Sequence, residues 1–312
     1  MEAKYKYVFG PVPSRRLGQS LGISPIPPKT CNYSCVYCQL GRTKTFTNTR
    51  QMFFPPEEIS AEIKDALSKY TDVDFITFVG EGEPTLYLGI GDVIRMIRDY
   101  TPLPLSVITN GALLYDKDVR RDLKPVSVLM PTFDAPDEDT WRRINRPHID
   151  LKFDRVLDGL FSMKEEMDGE MWLEVMLVKG INDDEDTLYR MKEVIDRLKP
   201  HRVYINVPIR PPAEKWVEMP DKETLERATE ILGAIPLGSM EEGTFYVSGN
   251  DPIEGILRII KRHPMREEQI RKVAECKGWD AEKLLKDLAS RDDVEILQAH
   301  GTKFYRYKVW RI

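Results

Sequence analysis

Residues 29–43, Lys29-Thr30-Cys31-Asn32-Tyr33-Ser34-Cys35-Val36-Tyr37-Cys38-Gln39-Leu40-Gly41-Arg42-Thr43, hold three of the chain's four cysteines within eight positions. Three thiols this close cannot all pair as disulfides, and the fourth, Cys276, is remote in sequence. An odd trio in a chain of this size points to a reducing compartment and to metal binding or catalysis. The C-x3-C-x2-C spacing differs from the C-x2-C pairs of zinc ribbons, and the nearest histidine, His148, lies 110 residues beyond Cys38. Three protein thiolates leave one metal position open to a substrate or cofactor. The structural alternative is a zinc knot completed by Cys276 or a histidine.

The 312 residues suffice for one large domain, or for one of about 200 to 250 residues with a smaller partner. No apolar run approaches the roughly 18 residues of a membrane span, and the first ten residues lack a signal-peptide core, so a soluble cytoplasmic protein with no membrane partner is expected. Net charge is −5, unevenly spread: residues 251–312 carry 14 Lys+Arg against 11 Asp+Glu. That excess permits an anionic partner without requiring one.

Short apolar or β-branched runs at 21–26, 73–79, 105–108, 126–130, 171–178 and 203–207 predict strands. Helical spacing marks 56–70, 90–99, 137–145, 153–167, 184–198 and 221–232. Strands alternating with helices predict parallel βα units, whose carboxyl-end loops are where ligands bind. Pro55-Pro56-Glu57-Glu58, Asp184 and Asp221 mark helix starts. The rhythm changes near Gly249. Helices are then predicted at 252–262, 266–276 and 281–290, with strands at 294–298 and 303–310; three helices and a hairpin predict a winged-helix-like α+β domain.

Cys31 to Cys38, with Tyr37 at the aromatic position, resembles the C-x3-C-x-aromatic-C signature of radical S-adenosylmethionine (SAM) enzymes. Gly80-Glu81-Gly82-Glu83-Pro84, after the second predicted strand, is similar to that family's glycine-glutamate motif. It departs in having Glu81 between the glycines, where many members read Gly-Gly-Glu-Pro. The resemblance implies a partial (β/α)6 barrel from about residue 18 to 232, hence an α/β fold with domains at 1–249 and 250–312. It also implies a [4Fe-4S] cluster on Cys31, Cys35 and Cys38, with SAM chelating the fourth iron. One electron then splits SAM into methionine and a 5′-deoxyadenosyl radical that abstracts hydrogen from substrate. A barrel interior shields such a radical from water.

Carried over by position, Glu83 matches the acceptor for the methionyl ammonium, and Glu81 is placed to share that task. Gly80 and Gly82, beside Pro84, let the backbone approach the ligand. Asn110 either faces cofactor or substrate or is half of an ordinary Asn-Gly turn. Thr132 and Asp134 sit where many members contact the ribose, or are caps. Lys179 and Asn182 fall near the adenine segment. The stretch around Arg15 and Arg16, with Gln39 to Thr43, is similar to short microbial iron–sulfur proteins distantly related to wybutosine tRNA-modifying enzymes. Arg15 and Arg16 suit an anionic substrate group or are a surface pair; Arg142, Arg143 and Arg146 suit phosphate or form a solvated helix end; Arg210, on a proline-stiffened loop, is placed to reach the cavity. The partners implied are an electron donor such as ferredoxin or flavodoxin and an unidentified substrate, tRNA or a peptide or protein, including a glycyl-radical partner. A non-enzymatic metal-binding or electron-transfer protein is the rival class. The C-terminal strands, basic through Lys303, Arg306, Lys308 and Arg311, are read as touching RNA or an acidic peptide, or as packing on the barrel.

Overall fold

The computed structural model describes residues 5–237, 245, 251–299 and 301–308. The chain opens with β1 (Val8–Ser14) and β2 (Gly18–Ile23), then the two-residue strands β3 (Thr30–Cys31) and β4 (Thr45–Phe46). Next come α1 (Pro56–Lys69), β5 (Phe75–Phe78), α2 (Ile90–Arg98), β6 (Leu105–Thr109), α3 (Lys117–Leu123), β7 (Val128–Pro131), α4 (Glu138–Ile144), α5 (Phe153–Glu166) and β8 (Glu170–Met176). The alternation ends with α6 (Glu185–Leu198), β9 (Arg202–Asn206), α7 (Lys222–Leu232) and β10 (Ile235–Pro236).

One sheet holds β1-β2-β5-β6-β7-β8-β9-β10 in that order. Only β1 and β2 pair antiparallel; every later neighbour is parallel. The six parallel strands from β2 to β9 are the six predicted runs, so the α/β partial-barrel class holds. Side chains alternate between its faces as the pleat requires. Leu129, Leu173, Val175, Val203 and Ile205 join the core under the helices, whereas Val128, Met130, Trp172 and Tyr204 pack on the opposite, lumen side with Leu17. Burying one such aliphatic side chain contributes about 1.5–3 kcal/mol.

The helix starts follow a local rule. Asp137, Asp184 and Asp221 each cap a helix by accepting from the N–H of the threonine three residues on, Thr140, Thr187 and Thr224. Pro56 occupies the first turn of α1, with Glu57 and Glu58 at its positive end.

Beyond the barrel come α8 (Pro252–Ile260), β11 (Met265–Arg266), α9 (Glu267–Lys277), α10 (Ala281–Ala289), β12 (Val294–Ala299) and β13 (Thr302–Tyr307), whose antiparallel sheet runs β11-β13-β12. The three helices and the hairpin were expected and β11 was not. The expected boundary near Gly249 and the end of the second strand, 309–310, lie outside the described residues. Phe9 and Val12 of β1 are buried with Ile256, Ile260, Met265 and Leu288, so this unit packs on the edge of the barrel sheet. Among the described residues, no helix is long and apolar enough to cross a membrane.

Candidate functional site

The cysteine loop is closed at its neck. Thr30 and Cys31 pair in parallel with Thr45 and Phe46, Lys44 and Thr45 donate to the Lys29 carbonyl at 3.0 and 3.1 Å, and Thr47 donates to the Cys31 carbonyl at 3.1 Å. The loop is also sewn to the end of α4. Ser34 donates to the Asn145 carbonyl (3.0 Å), Val36 to Ile144 (2.9 Å), and His148 donates to Asn32 (2.8 Å). Tyr33 accepts from the Trp141 indole at 2.9 Å.

All three cysteines are free. Burial pushes the Cys31 thiol well up, Cys35 up to about 12, and Cys38 up. The surroundings nevertheless favour sulfur as an acceptor. Cys31 Sγ takes the Tyr33 N–H (3.4 Å) and Asn110 Nδ2 (3.7 Å), and Cys35 Sγ takes Asn145 Nδ2 (3.5 Å). Cys38 feels the positive charges of Lys29 and Arg306. Buried sulfurs beside N–H donors and cations fit metal-bound thiolates, which such donors stabilise. Among the described residues no three His, Cys, Asp or Glu side chains converge on a single metal ion; a cubane cluster spreads its three thiolates over three irons and makes no such demand. Cys276 is exposed on α9.

The glycine-glutamate loop lies against this neck. Glu83 N–H donates to the Thr30 carbonyl at 3.0 Å, and the Lys29 N–H donates to the Glu81 carbonyl. A Cβ on Gly82 would overlap the Thr30 carbonyl, so glycine is required by close approach. Glu83 is 2% exposed. Its Oε1 accepts from Thr85 N (3.0 Å), Thr85 Oγ1 (2.6 Å) and Thr109 Oγ1 (2.6 Å), and Oε2 accepts from Asn110 N (2.7 Å). Burial raises its carboxyl, and these donors hold the rise back. Pro84 opens the short 3₁₀ turn Pro84–Leu86 that brings Thr85 round to Glu83. Asn110 forms the turn that was one of its two readings, and its side chain also reaches the cysteine loop. Its Oδ1 takes the Ala112 N–H as a turn (2.9 Å), while Nδ2 reaches Asn32 Oδ1 (2.7 Å) and Cys31. The glutamate is thus wired to the first cysteine.

A second network reaches Cys35 through Asn145. Asp134, 2% exposed, accepts from Tyr37 Oη (2.5 Å) and Asn145 Nδ2 (2.7 Å) on Oδ2 and from Met176 N (2.8 Å) on Oδ1. Burial pushes its carboxyl up to about 6, against the pull of those donors. Asp134 and Thr132 border a cavity of about 30 Å³ with Tyr33, Gly111, Trp141 and Asn145, room for about one water.

Three assigned positions lie elsewhere. Glu81 does not share the partners of Glu83: its Oε2 sits 3.3 Å from Arg262 Nε of the C-terminal unit and 3.5 Å from Ser24 Oγ. That arginine also donates to the Lys6 carbonyl (2.9 Å) and covers the Phe9 ring. Lys179 is exposed and 3.3 Å from Glu218, on the surface. Asn182 is fully buried and bonds backbone at Val178, Asp134 and Met176, holding the loop after β8 in shape.

The arginines divide as well. Arg15 donates to Asn206 (3.0 Å) and Arg16 pairs with Glu174, both inside the barrel rather than on its surface. Arg210 bonds Gln39 beside Cys38 (2.7 Å) and contacts His263. Arg142 is an exposed partner of Glu138, a solvated helix end. Arg306 donates to the Gln39 carbonyl at 3.2 Å, in line with the reading of the C-terminal strands as packing on the barrel; Arg262 was not expected here, and only the basic character of the C-terminal residues hinted at it.

Residues 26–192 match the family model described as the Radical SAM superfamily. A UPF0026 protein of Methanocaldococcus jannaschii is 40% identical over 273 residues, 85% of each chain. The solved structure of TYW1 with a lysine-pyruvate adduct aligns with a TM-score of 0.54 at 19% identity, covering 68% of this chain and 72% of that one. Streptococcus suis SuiB bound to precursor peptide SuiA aligns at 0.53 and 15% identity, covering 70% and 47%. At such identities the structures show a common fold alone. The family match spans the cysteine loop, the glycine-glutamate loop, Asn110 and Asp134, and with it the chain belongs to the radical SAM superfamily, enzymes whose cofactors are a [4Fe-4S] cluster and S-adenosylmethionine.

Proposed function

We propose that Cys31, Cys35 and Cys38 hold the cluster, that Glu83 and the backbone of 80–84 seat the methionyl end of SAM, and that Asp134, Thr132 and Tyr37 border the cofactor's other end. When bound, the cluster and SAM supply a one-electron cleavage that starts hydrogen abstraction from a substrate in the lumen. The observation that carries this reading is the direct wiring of Glu83 through Asn110 to Cys31. The chain's own residues orient the thiols, keep Glu83 an acceptor, and bar water by burial.

Of the two substrate classes, a peptide is the better supported. Lys303 lies 3.7 Å from Glu267 and Arg306 2.7 Å from Glu295, so the basic ribbon is largely spent on internal pairs. Among the described residues β12 pairs with β13 alone, which supports strand addition of an extended segment along its outer edge.

The test is anaerobic reconstitution with iron and sulfide, followed by addition of SAM and a chemical reductant. Production of 5′-deoxyadenosine, with no cluster absorbance in a triple Cys→Ala variant, is the expected result. A full cluster without that product would overturn the reading. Salt-sensitive binding of tRNA would decide against the peptide.

A further inference from the structure

The three thiols are met by different chemistry. Cys31 and Cys35 take neutral amide donors from the barrel, Asn110 Nδ2 at 3.7 Å and Asn145 Nδ2 at 3.5 Å. Cys38 takes the Leu40 N–H and has the cations Lys29 and Arg306 around it. Gln39, the next residue, ties this corner to the C-terminal unit by two bonds. Its carbonyl accepts from Arg306 Nη1 of β13 at 3.2 Å, and its Nε2 donates to the Arg262 carbonyl at 3.4 Å. The unit of helices and hairpin that packs on the barrel edge therefore reaches the third cysteine, while the barrel itself serves the other two.

Lys29 is held at this corner by its backbone. Its φ of 57° lies in the left-handed region, which costs a residue with a Cβ about 1–2 kcal/mol. The strain is fixed from both sides: the Lys29 N–H donates to the Glu81 carbonyl, and the Lys29 carbonyl accepts from Lys44 at 3.0 Å and Thr45 at 3.1 Å. Gly41, whose N–H donates to the Cys38 carbonyl at 3.0 Å, leaves the space over that turn to the Lys29 ammonium. A Cβ on Gly41 would lie 3.2 Å from Lys29 Nζ. Lys29 and Arg306 border a cavity of about 10 Å³ with Lys261 and Glu81, room for one water at most. Glu81 is already met by Arg262, and Glu295, the cross-strand partner of Arg306, lies 2.7 Å from it. The balance is positive, and so dry a corner screens charge weakly.

We propose that Lys29 and Arg306 are positioning residues that set the reduction potential of the cluster by holding two positive charges at its Cys38 corner, so that the C-terminal unit governs how readily the cluster takes its electron. The proposal rests on the reading of Cys31, Cys35 and Cys38 as the cluster site. Reduction adds one negative charge to the cluster. A nearby cation stabilises the reduced form more than the oxidised one and raises the potential, whereas a nearby carboxylate lowers it. A purely mechanical tie would need only the hydrogen bonds to Gln39 and would be indifferent to the sign of the charge.

The test is a potentiometric titration of each variant, reconstituted anaerobically with iron and sulfide and reduced by dithionite in the absence of SAM, with the reduced cluster read by electron paramagnetic resonance. Lys29→Gln and Arg306→Gln should each shift the equilibrium about tenfold towards the oxidised form, a midpoint lower by about 59 mV for a one-electron couple. Glu295→Gln removes the opposing charge and should move the midpoint the other way. Arg306→Lys, which keeps the charge, should stay near wild type, as should Lys222→Gln, 89% exposed on α7. If Arg306→Gln does not fold, Lys29→Gln and Glu295→Gln carry the test between them. Shifts of less than about twofold in the charge-removing variants, or shifts of the same sign from Lys29→Gln and Glu295→Gln, overturn the proposal, while a full cluster in each leaves the cluster reading standing. A wild-type chain that takes up no cluster refutes that reading, and the proposal with it.

Discussion

Replacing Glu83 by glutamine tests the centre of the site. The carboxylate receives four donors: two rotatable hydroxyls, Thr85 Oγ1 and Thr109 Oγ1, and two fixed N–H groups, those of Thr85 and Asn110, which fall on different oxygens. Glutamine can keep its carbonyl oxygen on the Thr85 side. Its amide then points N–H against the Asn110 N–H, losing one charge-assisted bond and leaving two donors opposed in a buried space. Flipping the amide moves the conflict to Thr85. Either way a hydrogen bond to a charged group is lost, worth about 1.5–3 kcal/mol, a sizeable share of the roughly 5–15 kcal/mol that holds a domain together. We expect Glu83→Gln to lower urea stability by about 2 kcal/mol with an unchanged m-value, and to weaken SAM binding in the reconstituted protein. Stability within about 0.5 kcal/mol of wild type, together with an unchanged Kd for SAM, would refute the reasoning.

Gly82→Ala should prevent stable cluster assembly, because its methyl overlaps the Thr30 carbonyl where the two loops meet; iron content after reconstitution measures this. Arg262→Gln leaves the buried Glu81 carboxylate with only the charge of Lys261 to offset it and should cost about 3 kcal/mol, with part of the loss recovered in the double variant with Glu81→Gln, as a double-mutant cycle will show. Asp134 ionises near 6 in the fold and near 3.9 unfolded. The folded state therefore binds more protons between these values, and stability falls by about 2–3 kcal/mol as pH rises from about 4 to 6. Asp134→Asn should remove that part of the pH dependence of the urea midpoint.

The parallel strands were legible because each is a short aliphatic run buried on two faces, and the helices at 184 and 221 because a capping aspartate stands at each start. β1 was not, since Val8–Ser14 carries two prolines and prolines in a strand argue against it except at an edge, where β1 lies. α3 escaped because its seven residues are mostly charged and lack an apolar stripe. At the site, cysteine spacing and the second glutamate were readable as motifs. The partner of Glu81 was not: Arg262 lies 181 positions away and only the packing of the C-terminal helices brings it near. The expectation for Lys179 rested on strand-end position, which does not say which way a side chain leaves the backbone; its ammonium lies 3.3 Å from Glu218.

Phe9 and Val12 belong to the outermost strand of the barrel and, at the same time, to the apolar interior of the final helices. Without those helices, β1 would offer an open hydrogen-bonding border and two bare apolar side chains to any neighbouring molecule, the circumstance in which sheets fuse edge to edge. The last sixty or so residues therefore insulate the sheet as well as supplying Arg262 and Arg306. A shortened chain would be expected to clump during production rather than survive as a weaker catalyst.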